Sequence, residues 1–278
     1  MSDTEKEPAT IHPLTPQRHG NMGWHRFTHY GFARSTVVAP LAAAEVLTAA
    51  LSLPLAFLRQ GETWQFVAVL GLLPGQNLFA EPDGRWSAGY VPAALRSFPF
   101  RVGQAADNRE AVLCIDEASG LLVENGGEAF FNSDGTLSKP VADLWNFMLQ
   151  VAKGSAQLTT ACASFAQANV IEPWPITIDD GGKGRKVEGL HRICEERWNS
   201  LDDETFLRLR QAGILPLAFA QMFSTGHIGK LGELVKAHQR HAAAAETERQ
   251  KAVTARSNPS GGLGFGDTLD VDWSRFGN

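Results

Sequence analysis

The sequence predicts an α+β fold: a largely antiparallel sheet, helices packed against it, and a helical C-terminal part. Two kinds of segment carry that prediction. Short runs rich in β-branched and aromatic residues, such as residues 64–72 and 111–116, are punctuated by Pro74-Gly75, Asp83-Gly84 and Asn125-Gly126, the pattern of strands joined by tight reversals. Apolar residues at three- and four-residue spacing, as at Val141, Leu144, Met148 and Val151, mark amphipathic helices. Composition sets the scale: 278 residues, 44% hydrophobic and 20% charged, suffice for one sizeable core or for two small ones sharing an interface. The simplest division is a flexible arm over 1–21, a single α+β domain over 22–240, and a helical extension with a disordered tail over 241–278.

The arm is polar and proline-containing, without periodicity. Residues 24–38 carry the aromatic and β-branched side chains of one or two strands. His25 and His29 lie four apart, but the segment reads as extended and lacks the HExxH arrangement that gathers zinc ligands on one helical face, so no metal site is predicted. Leu41, Ala44, Leu47 and Leu51 predict a short alanine-rich helix over 41–51. Glu45 falls off that stripe, which places it in solvent or beside a cation such as Arg34. Residues 54–58 predict a strand, 60–62 a turn and 64–72 a strand buried on both faces. Pro74-Gly75 suits a type II turn, 77–79 a short return strand, 82–84 another turn and 85–91 a third strand. Pro92 then opens a short helix over 93–97, since its missing N–H is harmless in a first turn.

Residues 104–110 predict a loop and 111–116 a buried strand carrying Cys114. Asn125-Gly126-Gly127, between apolar runs at 121–123 and 129–131, is the strongest hairpin signal in the chain. After a turn at 132–135, Ser138 is placed to cap a helix whose stripe is Val141, Leu144, Trp145, Met148 and Val151. Gly154 and Ser155 break it, and Leu158, Cys162 and Phe165 define a second, antiparallel helix. The proline-rich run 171–178 predicts an edge strand and 187–194 a returning strand, with His191 and Arg192 on opposite faces. Between them DDGGKGRK lacks the GxxxxGK[ST] spacing of a phosphate cradle and reads as a surface hairpin loop. Ser200, with Asp203 and Glu204 behind it, marks a helix start, and Phe206, Leu207 and Leu209 drive that helix into the core. Gly213 closes it, 214–223 is an apolar helix, and after Gly226 a last helix runs to about residue 255.

Charge and cysteine usage exclude several classes. A net charge of -5 and a pI near 5.9 argue against a nucleic-acid surface, which shows basic clustering. Cys114, Cys162 and Cys194 are odd in number and far apart, and read as reduced, buried thiols. The apolar run 37–57 is interrupted by Pro40, Glu45 and Pro54, so no transmembrane segment is predicted. MSDTEKEPAT lacks the basic and apolar regions of a secretory signal, which favours a cytoplasmic location, with the surface or envelope reached by a non-classical route.

The succession LGLLPGQNLF, DGRW and GYVPAALRSFPF, with RFTHYGFARSTVVAPLAAAEV before it and EGLHRICEERWNSLDDETFLRL after it, resembles the SapC family of bacterial proteins over about residues 15–235. The resemblance implies a surface-layer or envelope connection, in a setting that includes flavin-dependent halogenases and hydroxylase-like proteins. It carries no catalytic residues over to this chain, and neither catalytic group nor cofactor is predicted.

Turns and burial account for most of residues 64–100, leaving Asn77, Arg85, Trp86, Tyr90 and Arg96 as the polar or amphipathic remainder where a binding surface is expected. His191 joins them as the most plausible acid or base. The tail after Arg256 reads as disordered when free. Its single GGLGFGDTL stretch is too little for a stacked calcium-binding repeat, whereas Leu269, Val271, Trp273 and Phe276 alternate as anchors for a partner. The expected function is a non-catalytic binding or assembly protein acting through a protein or peptide partner. Two alternatives remain open: an enzyme or accessory subunit that modifies peptides or outer-membrane proteins, using Arg85, Tyr90, Arg96 and His191, and a self-assembling structural subunit.

Overall fold

The computed structural model describes residues 10–104, 110–180 and 183–257. In chain order the elements begin with β1 (Ile11–Pro13), α1 (Pro16–His19), β2 (Gly23–Trp24), β3 (Val38–Pro40), α2 (Val46–Ala50), β4 (Leu55–Gln60), β5 (Thr63–Val69) and α3 (Ala93–Arg96). They continue with β6 (Phe100–Gln104), β7 (Ala111–Asp116), β8 (Leu122–Val123), β9 (Glu128–Ala129), α4 (Lys139–Gln167), β10 (Ile171–Pro173), β11 (Ile176–Asp180), β12 (Lys183–Val187) and β13 (Leu190–Ile193). Helices α5 (Glu195–Asn199), α6 (Asp203–Gln211), α7 (Leu215–Ser224) and α8 (Ile228–Ser257) complete the chain. The architecture is α+β with antiparallel sheets, and the chain divides into a unit of residues 1–235 and a second of 236–278, in which the described residues continue α8.

The largest sheet has the order β10-β13-β4-β5-β3, every pair antiparallel. Leu55, Ala56 and Phe57 on β4 and Phe66 to Val69 on β5 are all buried, and because successive side chains point to opposite faces, both faces of the sheet centre are covered. Phe165 of α4 meets Phe57 edge-on at 5.9 Å. Where the β4–β13 ladder stops, the buried Gln221 of α7 splices it: its Nε2 donates to Leu55 O at 3.1 Å and its Oε1 accepts the Ile193 N–H at 2.9 Å.

A second sheet, β1-β7-β6, and a third, β8-β2-β9, enclose a smaller core of Leu14, Trp24, Phe100, Leu113, Ile115, Phe130, Val141 and Met148. Helix α4 joins the two cores. Val141 and Met148 enter the smaller one, while Leu158, Ala161, Cys162 and Phe165 enter the larger. The expected break at Gly154 and Ser155 is absent, and one helix of 29 residues replaces the predicted pair. Gly154 is there for proximity: a Cβ would stand 2.9 Å from Ala42 Cβ, so only glycine lets α4 lie this close to the chain entering α2.

Other elements also depart from expectation. Residues 11–21 are not a flexible arm: β1 pairs with β7, and Thr15 caps α1 by accepting the Arg18 N–H. Asn77 to Val91 forms neither predicted strand, since the only pairing in it is the bridge between Ala80 and Trp86. The Asn-Gly-Gly segment does not close a hairpin; β8 and β9 each pair with β2, which lies between them, and Gly23 makes room because a Cβ there would stand 2.1 Å from Gly126 O. Lys183–Val187 is a strand paired with β11 rather than a loop. Asp202, not Ser200, caps α6, by accepting the Thr205 N–H at 2.8 Å. Phe206 and Leu207 are exposed, leaving Leu209 as the buried anchor of α6. Residues 105–109, the 181–182 link and the tail with Leu269, Val271, Trp273 and Phe276 lie outside the described residues.

Candidate functional site

Three of the six sequence candidates, Trp86, Tyr90 and Arg96, meet at a corner beside α2 and α3, and the residue that organises it is Glu45, which the pattern places in solvent or beside a cation such as Arg34. Glu45 is buried. Its Oε1 accepts the Ala42 N–H at 2.8 Å, and its Oε2 accepts the Ala93 N–H at 2.8 Å and the Tyr90 hydroxyl at 2.8 Å. The buried face of α2 is not the stripe that the leucine spacing predicts: Val46 and Ala49 point inward with Glu45, while Leu47 and Leu51 are exposed. Arg34 does not pair with Glu45 but donates to Pro82 O. A glutamate three residues after the entry to a helical turn is a recognisable capping signal, yet without Ser or Thr at Ala42 nothing in the pattern announced it.

Tyr90 passes the interaction outward. Arg96 Nη2 donates to its hydroxyl at 3.2 Å, and the Arg96 guanidinium lies 5.7 Å from the Tyr90 ring and 5.2 Å from the Phe147 ring on α4. Burial, reinforced by the bond to Glu45 and its charge, pushes the Tyr90 phenol up to about 12, with Arg96 opposing. Trp86 donates from Nε1 to Tyr90 O at 2.9 Å and packs on Phe79 and Tyr30. Phe32 and Phe98 stack in parallel, ring centres 4.0 Å apart, and Phe27 stands against both. Asn77 is inside rather than on a binding surface: it is 2% exposed, donates to Ala33 O at 3.0 Å and accepts the Phe79 N–H at 2.9 Å.

The remaining two candidates have their own local partners. Arg85 binds Asp83 at 2.6 Å on the exposed turn, and the Arg85 backbone N–H, followed by its guanidinium, holds the Asp83 carboxyl below its usual range. His191 sits in the middle of the large sheet, facing Trp64 edge-on at 4.8 Å with Nδ1 3.1 Å from Gly189 O. No contact joins it to Tyr90, Arg85 or Arg96 among the described residues.

A polar cluster the pattern missed fastens the N-terminal segment. Glu117 accepts a two-pronged bond from Arg18, through Nε and through Nη2 at 2.7 Å, and it meets Nε2 of the fully buried His19 at 3.1 Å. Arg18, then His19, pull the Glu117 carboxyl down to about 2. The Thr15 N–H donates to His19 Nδ1 at 3.3 Å, so the ring proton sits on Nε2 and is directed at Glu117. With His12 3.8 Å from the same carboxylate the set resembles a metal triad, but a guanidinium already occupies the carboxylate and the ring proton blocks Nε2. No group of three metal-ligating side chains with suitable geometry occurs among the described residues, and His25 and His29 are both exposed. The three cysteines are buried and unpaired, and burial pushes the Cys162 thiol up to about 12.

One further surface stands out. On α2 and α7, which pack on each other, Leu47, Leu51, Phe219 and Phe223 are 60, 79, 40 and 79% exposed. His227, just past α7, has Nε2 3.0 Å from Ala50 O at the C-terminal end of α2, and the Leu55 N–H at the start of β4 donates to Ser224 Oγ at the end of α7 at 3.0 Å. Leu47 and Leu217 line one groove of about 550 Å³ between these helices and α4, and Phe219 stacks on Phe223 at 6.3 Å. No helix among the described residues is long and apolar enough to cross a membrane.

No curated protein and no solved structure matches the chain. A family model, SapC, matches residues 14–231, running through the large sheet, the aromatic corner and the helices up to the start of α8. By that match the chain belongs to the SapC family.

Proposed function

We propose that this protein is a non-catalytic binding or assembly protein of the bacterial surface layer or envelope, holding a protein partner through the apolar face of α2 and α7. The observation that carries the reading is the pair Leu51 and Phe223, each 79% exposed at adjoining helix ends. Single exposed apolar residues are ordinary on any protein, but a contiguous patch of large ones marks an interaction surface. The groove beside Leu47 extends that patch and suits an apolar segment of the partner.

The alternative of an enzyme or accessory modification subunit built on Arg85, Tyr90, Arg96 and His191 has less support: Tyr90 and Arg96 meet, but among the described residues no contact joins them to Arg85, which binds Asp83, or to His191, which faces Trp64. Affinity purification from the native cell tests the binding reading. The partner recovered with the wild-type chain is expected to be lost from the double variant Leu51→Ser/Phe223→Ser, with the far-UV circular dichroism unchanged. Retention of the partner by that variant overturns the assignment to α2 and α7. A chain ending at Ser257 that still recovers the partner assigns capture to the helices rather than to Leu269, Val271, Trp273 and Phe276. A mass that rises with concentration in the wild type, and not in the double variant, identifies the partner as a second copy.

A further inference from the structure

A second recess lies between α3, β6 and α4, and none of its lining residues belongs to α2 or α7. It measures about 280 Å³. Buried Phe100 and Met148 form its floor, Phe147 one wall, and Ala94 and Ala152 keep it open because their side chains stop at Cβ. Arg101 reaches its rim from β6, and Arg96, lying on the Phe147 ring, stands at the same wall. In a chain of net charge -5, no acidic side chain among the described residues lines this recess. Asp116 lines the adjoining recess that Arg101 also borders, but its carboxylate accepts the Ala118 N–H at 3.1 Å, and no ion pair joins it to Arg101 among the described residues.

An apolar recess with a cationic side chain, Arg101, at its rim and no acidic lining residue among the described residues has the recognition chemistry of an amphipathic anion. The apolar body leaves water against Phe100, Phe147 and Met148, and the charged head stays at the rim, where a guanidinium presents parallel N–H donors matched to a carboxylate. Its volume is just below the roughly 300–1,000 Å³ of sites for drug-sized ligands, which limits the body to a single ring or a short chain. We propose that this recess binds a small free carboxylate with an aryl or short acyl body, its head group on Arg101 and its body between Ala94, Ala152 and the Phe147 ring.

The test is calorimetric titration of the full chain with 3-phenylpropionate and, separately, with its uncharged amide. One saturable site is expected for the acid, with the amide weaker by roughly tenfold or more, the scale of one charge-assisted hydrogen-bonded contact. Arg101→Gln is expected to bring the acid down to the affinity of the amide. Ala152→Phe, which fills the recess from the exposed side of α4, is expected to abolish binding of both while leaving the far-UV spectrum unchanged. Met148→Trp fills it from the floor and checks the result by a second route. Absence of saturable binding to the wild type, equal affinity for acid and amide, or undiminished binding by both filled variants overturns the proposal.

Discussion

Leu78 and Phe79 in the aromatic corner are as deeply buried as Phe57 and Val67 in the five-stranded sheet, yet the two regions satisfy their backbones in different ways. In the sheet each strand hands its N–H and C=O groups to a neighbour, and the side chains are left to pack. In the corner the chain from residue 77 to residue 92 pairs with itself only around Ala80 and Trp86, so side chains take over: Asn77 serves Ala33 O and the Phe79 N–H, Trp86 serves Tyr90 O, and Glu45 serves the Ala42 and Ala93 N–H groups. Buried backbone groups are almost always partnered, and where no ladder is available a polar side chain must be buried to do it. The polar residues in a stretch like this one look catalytic in a sequence for a structural reason.

That contrast is open to measurement. Glu45→Ala leaves three donors without their acceptor at once, and with each buried unpartnered group costing about 1–3 kcal/mol, a loss of about 3–9 kcal/mol is expected in urea unfolding. A loss below about 1 kcal/mol would mean the corner does not depend on Glu45. Asn77→Ala removes two buried partners and is expected to cost about 2–4 kcal/mol by the same measurement. In the sheet, Ile193→Val on β13 deletes one methylene and leaves every hydrogen bond in place, so about 0.5–1.5 kcal/mol is expected. If it matched Asn77→Ala, the two regions would not differ as described.

The smallest effect is in titration. The chain has two tyrosines, so Tyr30→Phe leaves Tyr90 as the single phenol to follow by ultraviolet absorbance. Its midpoint is expected near 12, falling when Glu45→Gln removes the negative charge while burial remains. The folded state holds this phenol protonated more firmly than the unfolded chain does. The stability it adds is therefore complete below about pH 10 and is lost as the pH rises from there through about 12. A midpoint near 10 would place Tyr90 in water and detach it from Glu45.

Much of the regular framework was legible. The strand expected over 64–72, which runs Thr63–Val69, the turn at Pro74-Gly75, the turn at 82–84, the short helix after Pro92 and the closure at Gly213 are local events, set by torsional preference and apolar spacing within a few residues. The match of order and segment to SapC likewise needed only the sequence. The site residues were legible only in part: Tyr90 and Arg96 do meet, but Glu45, which holds Tyr90, lies 45 residues away, and no local pattern links positions so far apart. Gln221 was overlooked in an apolar helix for the same reason, since its partners Leu55 and Ile193 come from two different strands.

The sequence by itself determined the strands over β4, β5 and β7, the helices over α3, α6 and α7, the turns at Pro74-Gly75, 82–84 and Gly213, and the family the chain belongs to. Tertiary structure alone decided which face of α2 looks inward, that β2 separates β8 from β9, that α4 passes unbroken through Gly154, and that a glutamate rather than the third strand expected over 85–91 holds the corner. The division has one physical cause. Torsional and periodic preferences act between neighbours along the chain, whereas the demand that every buried polar group find a partner, and every close approach find room, is settled between residues that only folding brings together.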